Sequence, residues 1–350
     1  TLGVNAMQPQ FRIQADGKDI TALINDRLLL LRTTDKPGMD SDDFELRIDA
    51  RDGAVALPAR GALIEVHLGY AGEPLARLGR YTVDEVEVFG PPDTLVVRGK
   101  ASDLCGSGKT IRSDSWEAAP LQRIIAQIGA RNGWQTVCPV ATQVPRADQY
   151  NESDFNFITR LARQYDCTAK LANGQLLVLP RQAGQSASGQ HLDIVSIARS
   201  EVSQWHCRLD DKAARKAVRT RHQDSASGEL KEVELVNDDG RQGHRPIHTD
   251  RHLYPNRTCA EQAAKARLAS FNRNTAQLRL DLPGRTDLFA ERSIDLIGFG
   301  DGLDGQYQLD SVEQVFTSDG WRTTVQGNGG KAGKANAKGK VPRRSAGTMA

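Results

Sequence analysis

Hydrophobic and polar residues alternate with a period of two over much of the first hundred residues. Phe44, Leu46 and Ile48 fall on one side of such a pattern, as do Ala62, Ile64, Val66 and Leu68, and then Tyr81 and Val83. Thr94 to Val97 is rich in β-branched residues. Asp35-Lys36-Pro37-Gly38, Asp52-Gly53 and Gly90-Pro91-Pro92-Asp93 supply turn chemistry between these runs. Residues 1–100 are therefore expected to form a first small β-barrel of short strands.

The period lengthens between residues 101 and 180. Pro120 can open a helix whose apolar face is Leu121, Ile124, Ile125 and Ile128, and Asn132-Gly133 can close it through a left-handed cap. Trp134 to Val140 has the composition of a strand. Tyr150 to Cys167 then carries Phe155, Ile158, Leu161, Ala162 and Tyr165 at helical spacing, which predicts a helix over 151–166 with one buried face. Asn151 is its expected cap, with Asp154 answering three residues on as in a capping box. Glu152 and Asp154 also sit where the helix dipole favours negative charge. Lys170-Leu171 and Leu176 to Leu179, split by Asn173-Gly174, predict a hairpin. This is an α+β middle segment.

Residues 181–190 are a polar connector. Beyond it, strands are expected at Gln204–Leu209, Ala217–His222 and Leu230–Val236, an Ala-rich helix at 259–272, and a strand carrying Leu278, Leu280 and Leu282. Residues 181–330 thus read as a second β-barrel with an Ala-rich helix. The fold class is mainly β, with two similar small barrels flanking a helix-containing segment. Residues 331–350 read as a disordered basic tail.

The two β regions resemble each other in sequence. Tyr81-Thr82-Val83-Asp84-Glu85-Val86-Glu87 matches Tyr307-Gln308-Leu309-Asp310-Ser311-Val312-Glu313. Each copy follows an alternating strand ending at glycine, Gly69 or Gly298, and precedes a Thr/Val-rich strand ending at Gly99 or Gly327. Three matches in one order point to a duplicated barrel. A trimer of such chains would present six similar barrels, a way for a three-fold body to meet a six-fold one.

Composition narrows the function. The chain has 350 residues, 26% of them charged and 5% aromatic, and no apolar run of membrane-spanning length. TLGVNAMQPQ lacks the pattern of a signal peptide. The five cysteines, Cys105, Cys138, Cys167, Cys207 and Cys259, are odd in number and never at CxxC spacing. That argues against a disulfide framework or a zinc ribbon and for synthesis in a reducing cytosol. The formal charge is +2, but residues 331–350 carry six basic residues and no acid, which leaves the rest at about −4. No stable hold on a nucleic-acid backbone is expected from such a body, and the tail lacks the interleaved aromatics of a single-strand binder.

Several motifs invite a chemical reading and fall short of it. Gly106-Ser107-Gly108-Lys109-Thr110 resembles a phosphate loop, yet Asp103 stands where the first glycine belongs. His244, His248 and His252 are spaced by four, but Pro246 interrupts any helix that would bring them to one metal. Gly298-Phe299-Gly300-Asp301-Gly302 has Leu303 in place of the last glycine of a dinucleotide fingerprint, and Asp301 and Asp304 lack calcium-loop spacing. No GxSxG motif is present. No catalytic residue, cofactor or metal is expected.

The phrase Glu152-Ser153-Asp154-Phe155-Asn156-Phe157-Ile158-x-Arg160-Leu161-Ala162 resembles the hub signature of contractile injection machines, namely the late control protein D family of tailed phages and the hub half of VgrG. The resemblance extends from about Phe11 to Gly327. It takes in Asp16 to Thr21, Gly79-Arg80-Tyr81-x-Val83-Asp84, Ile111-Arg112-Ser113-x-Ser115-Trp116, Arg251-His252-x-Tyr254, and Gly305-x-Tyr307 through Gly320-Trp321-x-Thr323. One departure is Gln314, where the family often has His.

The resemblance implies a non-enzymatic homotrimeric baseplate hub. It would join a hexameric tail tube above to a trimeric spike below, among other baseplate proteins and the tape measure. The chain ends after the second barrel, so the spike is expected to be a separate protein. The implied location is the virion or a bacteriocin particle, assembled in the bacterial cytoplasm. Alternatives are the hub of an R-type bacteriocin or a type VI-like system, a nucleotide-binding enzyme using Lys109, and a tail-associated wall-degrading enzyme. The residues expected to lock the middle helix against a barrel are Asp154, Phe155, Ile158 and Leu161, within a structural signature that includes Glu152 and Ser153. Tyr81, Asp84, Val86, Tyr307, Asp310 and Val312 mark the barrel repeat.

Overall fold

A computed structural model describes residues 8–39, 42–53, 55–101, 107–172, 175–181, 192–210, 212–224, 227–237 and 246–334. The first region contributes β1 (Pro9–Ala15), β2 (Lys18–Asp19), a one-turn α1 (Thr21–Ile24), β3 (Leu28–Asp35), β4 (Asp43–Asp49), β5 (Leu63–Tyr70), β6 (Ala76–Phe89) and β7 (Thr94–Ala101). Their paired order is β3-β4-β7-β6-β5-β1-β2. Ile13 of β1, Leu31 of β3, Phe44 of β4, Val66 of β5, Tyr81 of β6 and Val97 of β7 all meet in one buried cluster. A sheet whose outer strands share a core with its central ones has to wrap around that core. Alternation in the sequence foretold this, because every second side chain faces inward.

The middle segment contains β8 (Ile111–Pro120), α2 (Leu121–Asn132), β9 (Gln135–Val137), β10 (Gln143–Ser153), α3 (Asp154–Gln164), β11 (Cys167–Ala172) and β12 (Gln175–Pro180). Pro120 precedes α2 and Gly133 closes it with φ +74°, the left-handed cap that only glycine adopts without strain. β8 and β10 form a two-stranded ribbon, while β11 and β12 form the expected hairpin and β9 pairs parallel to β12.

The last region contributes β13 (Val195–Ala198), β14 (Gln204–Leu209), β15 (Ala217–Gln223), β16 (Leu230–Val236), β17 (Ile247–Tyr254), α4 (Arg257–Arg273), β18 (Ala276–Pro283), β19 (Ser293–Ile297), β20 (Gly305–Thr317) and β21 (Gly320–Asn328). These do not form one β unit. β15, β16 and β17 make a separate three-stranded sheet, and α4 packs on it through Ala260, Ala264 and Leu268. The remaining strands run β14-β18-β21-β20, with β19 and β13 beside β20, around a core of Ile197, Leu280, Ile294, Leu309 and Val325.

The two β units are also not separate bodies. β20 pairs antiparallel with β3, from Val312 opposite Asp35 to Phe316 opposite Leu31, which merges both units into one 13-stranded sheet. Trp321 completes the core of the first unit from the second. The first four residues of the basic tail are held in place: Asn272 donates to the Lys331 carbonyl at 3.0 Å, and the Lys334 backbone N–H donates to Thr275 Oγ1 at 2.7 Å. Disorder was expected there; these hydrogen bonds to the end of α4 explain the difference. Residues 335–350 lie outside the described ones.

Candidate assembly site

The duplication holds at the level of register. β6 meets β7 with Val83 opposite Gly99 and Val86 opposite Val97, and one extra residue between them, Asp84. β20 meets β21 with Leu309 opposite Gly327 and Val312 opposite Val325, and the extra residue is Asp310. The shared aspartate is a β-bulge in both copies. Tyr81 lies opposite Ile64 of β5, and Tyr307 opposite Ile294 of β19. Each following strand has glycine at one place for one reason. A Cβ on Gly99 would stand 2.6 Å from the Thr82 carbonyl oxygen, and one on Gly327 would stand 2.8 Å from that of Gln308. Thr82 and Gln308 are themselves equivalent.

Both tyrosines are buried and neither ionises in the neutral range, because burial pushes the phenols well above their ordinary value. Thr33 of β3 lies beside the Tyr81 hydroxyl. Tyr307 donates to the Leu303 carbonyl at 2.8 Å and lies 3.7 Å from Cys207 Sγ of β14.

The signature stretch lies in the middle segment. The cap is Ser153, not Asn151: its Oγ accepts from the Asn156 backbone N–H at 3.3 Å. Asn151 sits at a bulge in β10 with φ +48°, held by Ser113, so residues 151–153, expected to open the helix, belong to a strand that was not expected. Asp154 does not reach back to a cap. It is fully buried and gathers Arg131 and Asn132 from the end of α2 and Gln149 from β10, with Asn132 Nδ2 at 2.7 Å and Gln149 Nε2 at 2.9 Å. A buried carboxylate needs such donors to offset its desolvation. Glu152 pairs with Arg160 in the second turn of α3.

Phe155, Ile158 and Leu161 pack with α2, β10, β11 and β12. The helix is thus fixed within the core of its own segment rather than against a flanking barrel. Phe155 stacks on Trp134 with centroids 5.3 Å apart. Phe157, absent from the expected face, is fully buried and stacks on Trp116. Its spacing of four from Leu161 was the available signal.

Besides Met39, which packs against the middle core, an ionic contact joins the middle segment to the β units. Lys170 Nζ of β11 lies 2.6 Å from Asp35 Oδ1 at the end of β3 and 3.6 Å from Asp42. Asp35 Oδ2 accepts from the Ala290 backbone N–H of the second unit at 2.7 Å. One carboxylate therefore joins all three parts. Burial alone would lower the Lys170 pKa, but Asp35 and Asp42 outweigh it and hold it up. Burial, with Asp35 adding to it, pushes Asp42 up to about 6. Burial also raises Glu291 beside this cluster.

The motifs weighed for chemistry take structural places. Gly108 packs under Phe155 and Trp134, where a Cβ would stand 2.6 Å from either ring. Lys109 beside it is exposed; Asp103 and Gly106 lie outside the described residues. His248 and His252 are on β17, against Phe271 and Tyr254 respectively, and His244 lies outside the described residues. Asp304 accepts from the Phe299 and Gly300 backbone N–H groups and so fixes its turn. Gln314 is buried, accepts from Trp321 Nε1 at 2.9 Å and donates to the Arg285 carbonyl at 2.7 Å, a structural role for the position that departs from the family pattern.

Two wrapped β units flanking a helix-bearing segment are a fold shared with solved tail proteins and with a component of the type VI secretion system. The 43 kDa tail protein of prophage MuSo2 from Shewanella oneidensis superposes with a TM-score of 0.68 at 16% identity, over 95% of this chain and 100% of that one. An Escherichia coli component of the type VI secretion system gives 0.55 at 11% identity, over 98% of this chain and 79% of that one. The sequence pattern of the phage tail baseplate hub (GPD) family matches residues 40–320, and the chain belongs to that family. It is 27% identical to the probable baseplate hub protein of Escherichia phage P2, over 92% of this chain and 93% of that protein.

Proposed function

We propose that the chain acts as a homotrimeric adaptor in a phage-like tail baseplate, joining a six-fold tail tube to a three-fold spike supplied by another chain. The observation that carries this is the register-matched duplication. Three copies of a chain with two equivalent β units offer six equivalent β units, so a six-fold neighbour can find one contact repeated around the ring. The division near residues 100, 180 and 330 belongs to the same reading, and the separate buried clusters support it. The work is positional, and the reading assigns the chain no catalytic step. It places the protein in the assembled particle, with the tube, the spike, other baseplate proteins and the tape measure as neighbours.

The test is the solution mass by light scattering, for the chain alone and mixed with the spike protein encoded beside it. A trimer, or a three-to-three complex on mixing, is expected. A monomer under both conditions overturns the proposal.

A further inference from the structure

The junction between the two β units inside the chain has no counterpart on the outer side of the first unit. The register equivalences define what that counterpart is. β20 continues past its bulge as Val312 to Phe316 and uses its free edge to pair with β3. The equivalent stretch of β6 is Val86 to Gly90. It pairs with β7 on one side only, since β5 stops at Leu63 opposite Thr82. The strand equivalent to β3 is β14: Leu31 and Thr33 lie opposite Leu46 and Phe44, and Trp205 and Cys207 lie opposite Leu280 and Leu278. Among the described residues, β14 ends the 13-stranded order and pairs only with β18.

We infer that β6 of one copy pairs antiparallel with β14 of a second copy of this chain, in the register that β20 and β3 show within one chain. Carrying that register across places Val86 opposite Leu209, Glu87 opposite Arg208, Val88 opposite Cys207, and Phe89 opposite His206. Residues directly opposite in an antiparallel pair share a face, so Val86 meets Leu209, Val88 meets Cys207, and the acid Glu87 meets the base Arg208.

The surface fits this occupant. Val88 is 55% exposed, Phe89 50% and Leu209 40%, whereas Gln314, the equivalent of Val88 at the completed junction, is 4% exposed. Open edges bearing apolar residues invite pairing and are normally blunted. The β1 edge is blunted by the two-residue β2, Lys18-Asp19; β14 and the end of β6 are not. The contact is head to tail, so it closes into a ring when the rotation permits. Three copies close the ring if each of its six junctions, within and between chains, turns by one sixth of a circle. This inference rests on the trimeric reading above and adds the strands and register to it.

The test is disulfide trapping in the full-length chain carrying Val88→Cys, under mild oxidation and at concentrations spanning the assembly range. Directly opposed positions on paired strands bring Cβ atoms within reach of a disulfide. The expected result is a ladder on a non-reducing gel that ends at trimer and disappears when Cys207→Ser is added. Glu87→Arg or Arg208→Glu alone is expected to lower the association constant about fivefold per junction, and the double swap to restore it. These side chains are exposed on strand edges, so the fold should tolerate each change. A trimeric mass with no trapping through Cys207 overturns this register and leaves the trimeric adaptor standing. A ladder running past trimer overturns closure by three. A chain that is monomeric and untrapped at every concentration overturns both readings.

Discussion

In the first β unit Tyr81 faces Ile64, a bulge at Asp84 follows, and Val86 faces Val97; in the second, Tyr307 faces Ile294, the bulge is Asp310, and Val312 faces Val325. The scaffold is the same, and the surroundings are not. After its bulge the second unit buries Val312 and Gln314 against β3, while the first leaves Glu87, Val88 and Phe89 to solvent. At the other end of the comparison, Asp35 and Asp42 of the first unit correspond by register to Leu209 and Ala276 of the second. Only the first unit therefore carries the acid pair that grips Lys170. The duplication supplies like surfaces, and the differences between copies decide which contacts are made within the chain.

The largest effect lies outside both units and separates them from the segment between. Phe155→Ala removes a ring stacked on Trp134 and is expected to cost about 3–5 kcal/mol. Chemical denaturation followed by Trp fluorescence measures it, and an unchanged midpoint would mean that α3 adds little to the core. Within the units, Gly99→Ala and Gly327→Ala both drive a methyl into a backbone carbonyl on the neighbouring strand. About 2–3 kcal/mol is expected for each. Gly99 should cost more, because the Phe44 ring also lies 2.9 Å from the new carbon. Tolerance of one substitution and not of the other would break the equivalence of the copies.

Much of this plan could be read from residue order. The period-two runs placed Phe44, Leu46, Ile48 and Leu278, Leu280, Leu282 on core faces, and the tyrosine–aspartate repeat located the duplicated strand. Four features were not legible. The β3–β20 ladder joins residues far apart in the chain, and pattern carries no information on which edges meet. β15 to α4 interrupts the second unit, yet its strands alternate like those of the unit itself. The start of α3 was misplaced because Asn151 and Ser153 are both good caps, and only the bulge at Asn151 decides between them. The Asp154 cluster was hidden for a similar reason: Arg131, Asn132 and Gln149 come from two different elements.

The acid pair gives the copies different responses to pH. Asp42 has its carboxyl pushed up to about 6 by burial and by Asp35, above its ordinary value of 3.8. The folded chain holds this proton more tightly than the unfolded chain does. The contribution to stability is present below pH 3.8 and is lost as pH rises to about 6. Asp42→Asn keeps an acceptor for the Lys36 backbone N–H and removes the charge. It is expected to stabilise the chain by about 2 kcal/mol at pH 7 and by nothing below pH 4. Melting temperature as a function of pH reports this directly. A loss of stability at pH 7 would show that the pull on Lys170 exceeds the cost of burying a second carboxylate.

The smallest effect tests the matched tyrosines, whose hydroxyls have different partners. Tyr307 donates to the carbonyl of Leu303, a backbone acceptor that cannot turn away when the hydroxyl is removed. The Tyr81 hydroxyl has that of Thr33 beside it, a group that can rotate toward another partner. Tyr307→Phe is therefore expected to cost about 1 kcal/mol and Tyr81→Phe about half of that. The ring contacts stay in both variants, Tyr81 on Phe44 and Tyr307 under Lys334, so the difference isolates the hydroxyl. Matched denaturation curves for the two variants give the comparison. A larger loss at Tyr81 would mean that the β3 edge is held to its unit through this hydroxyl, and that the pairing with β20 depends on it.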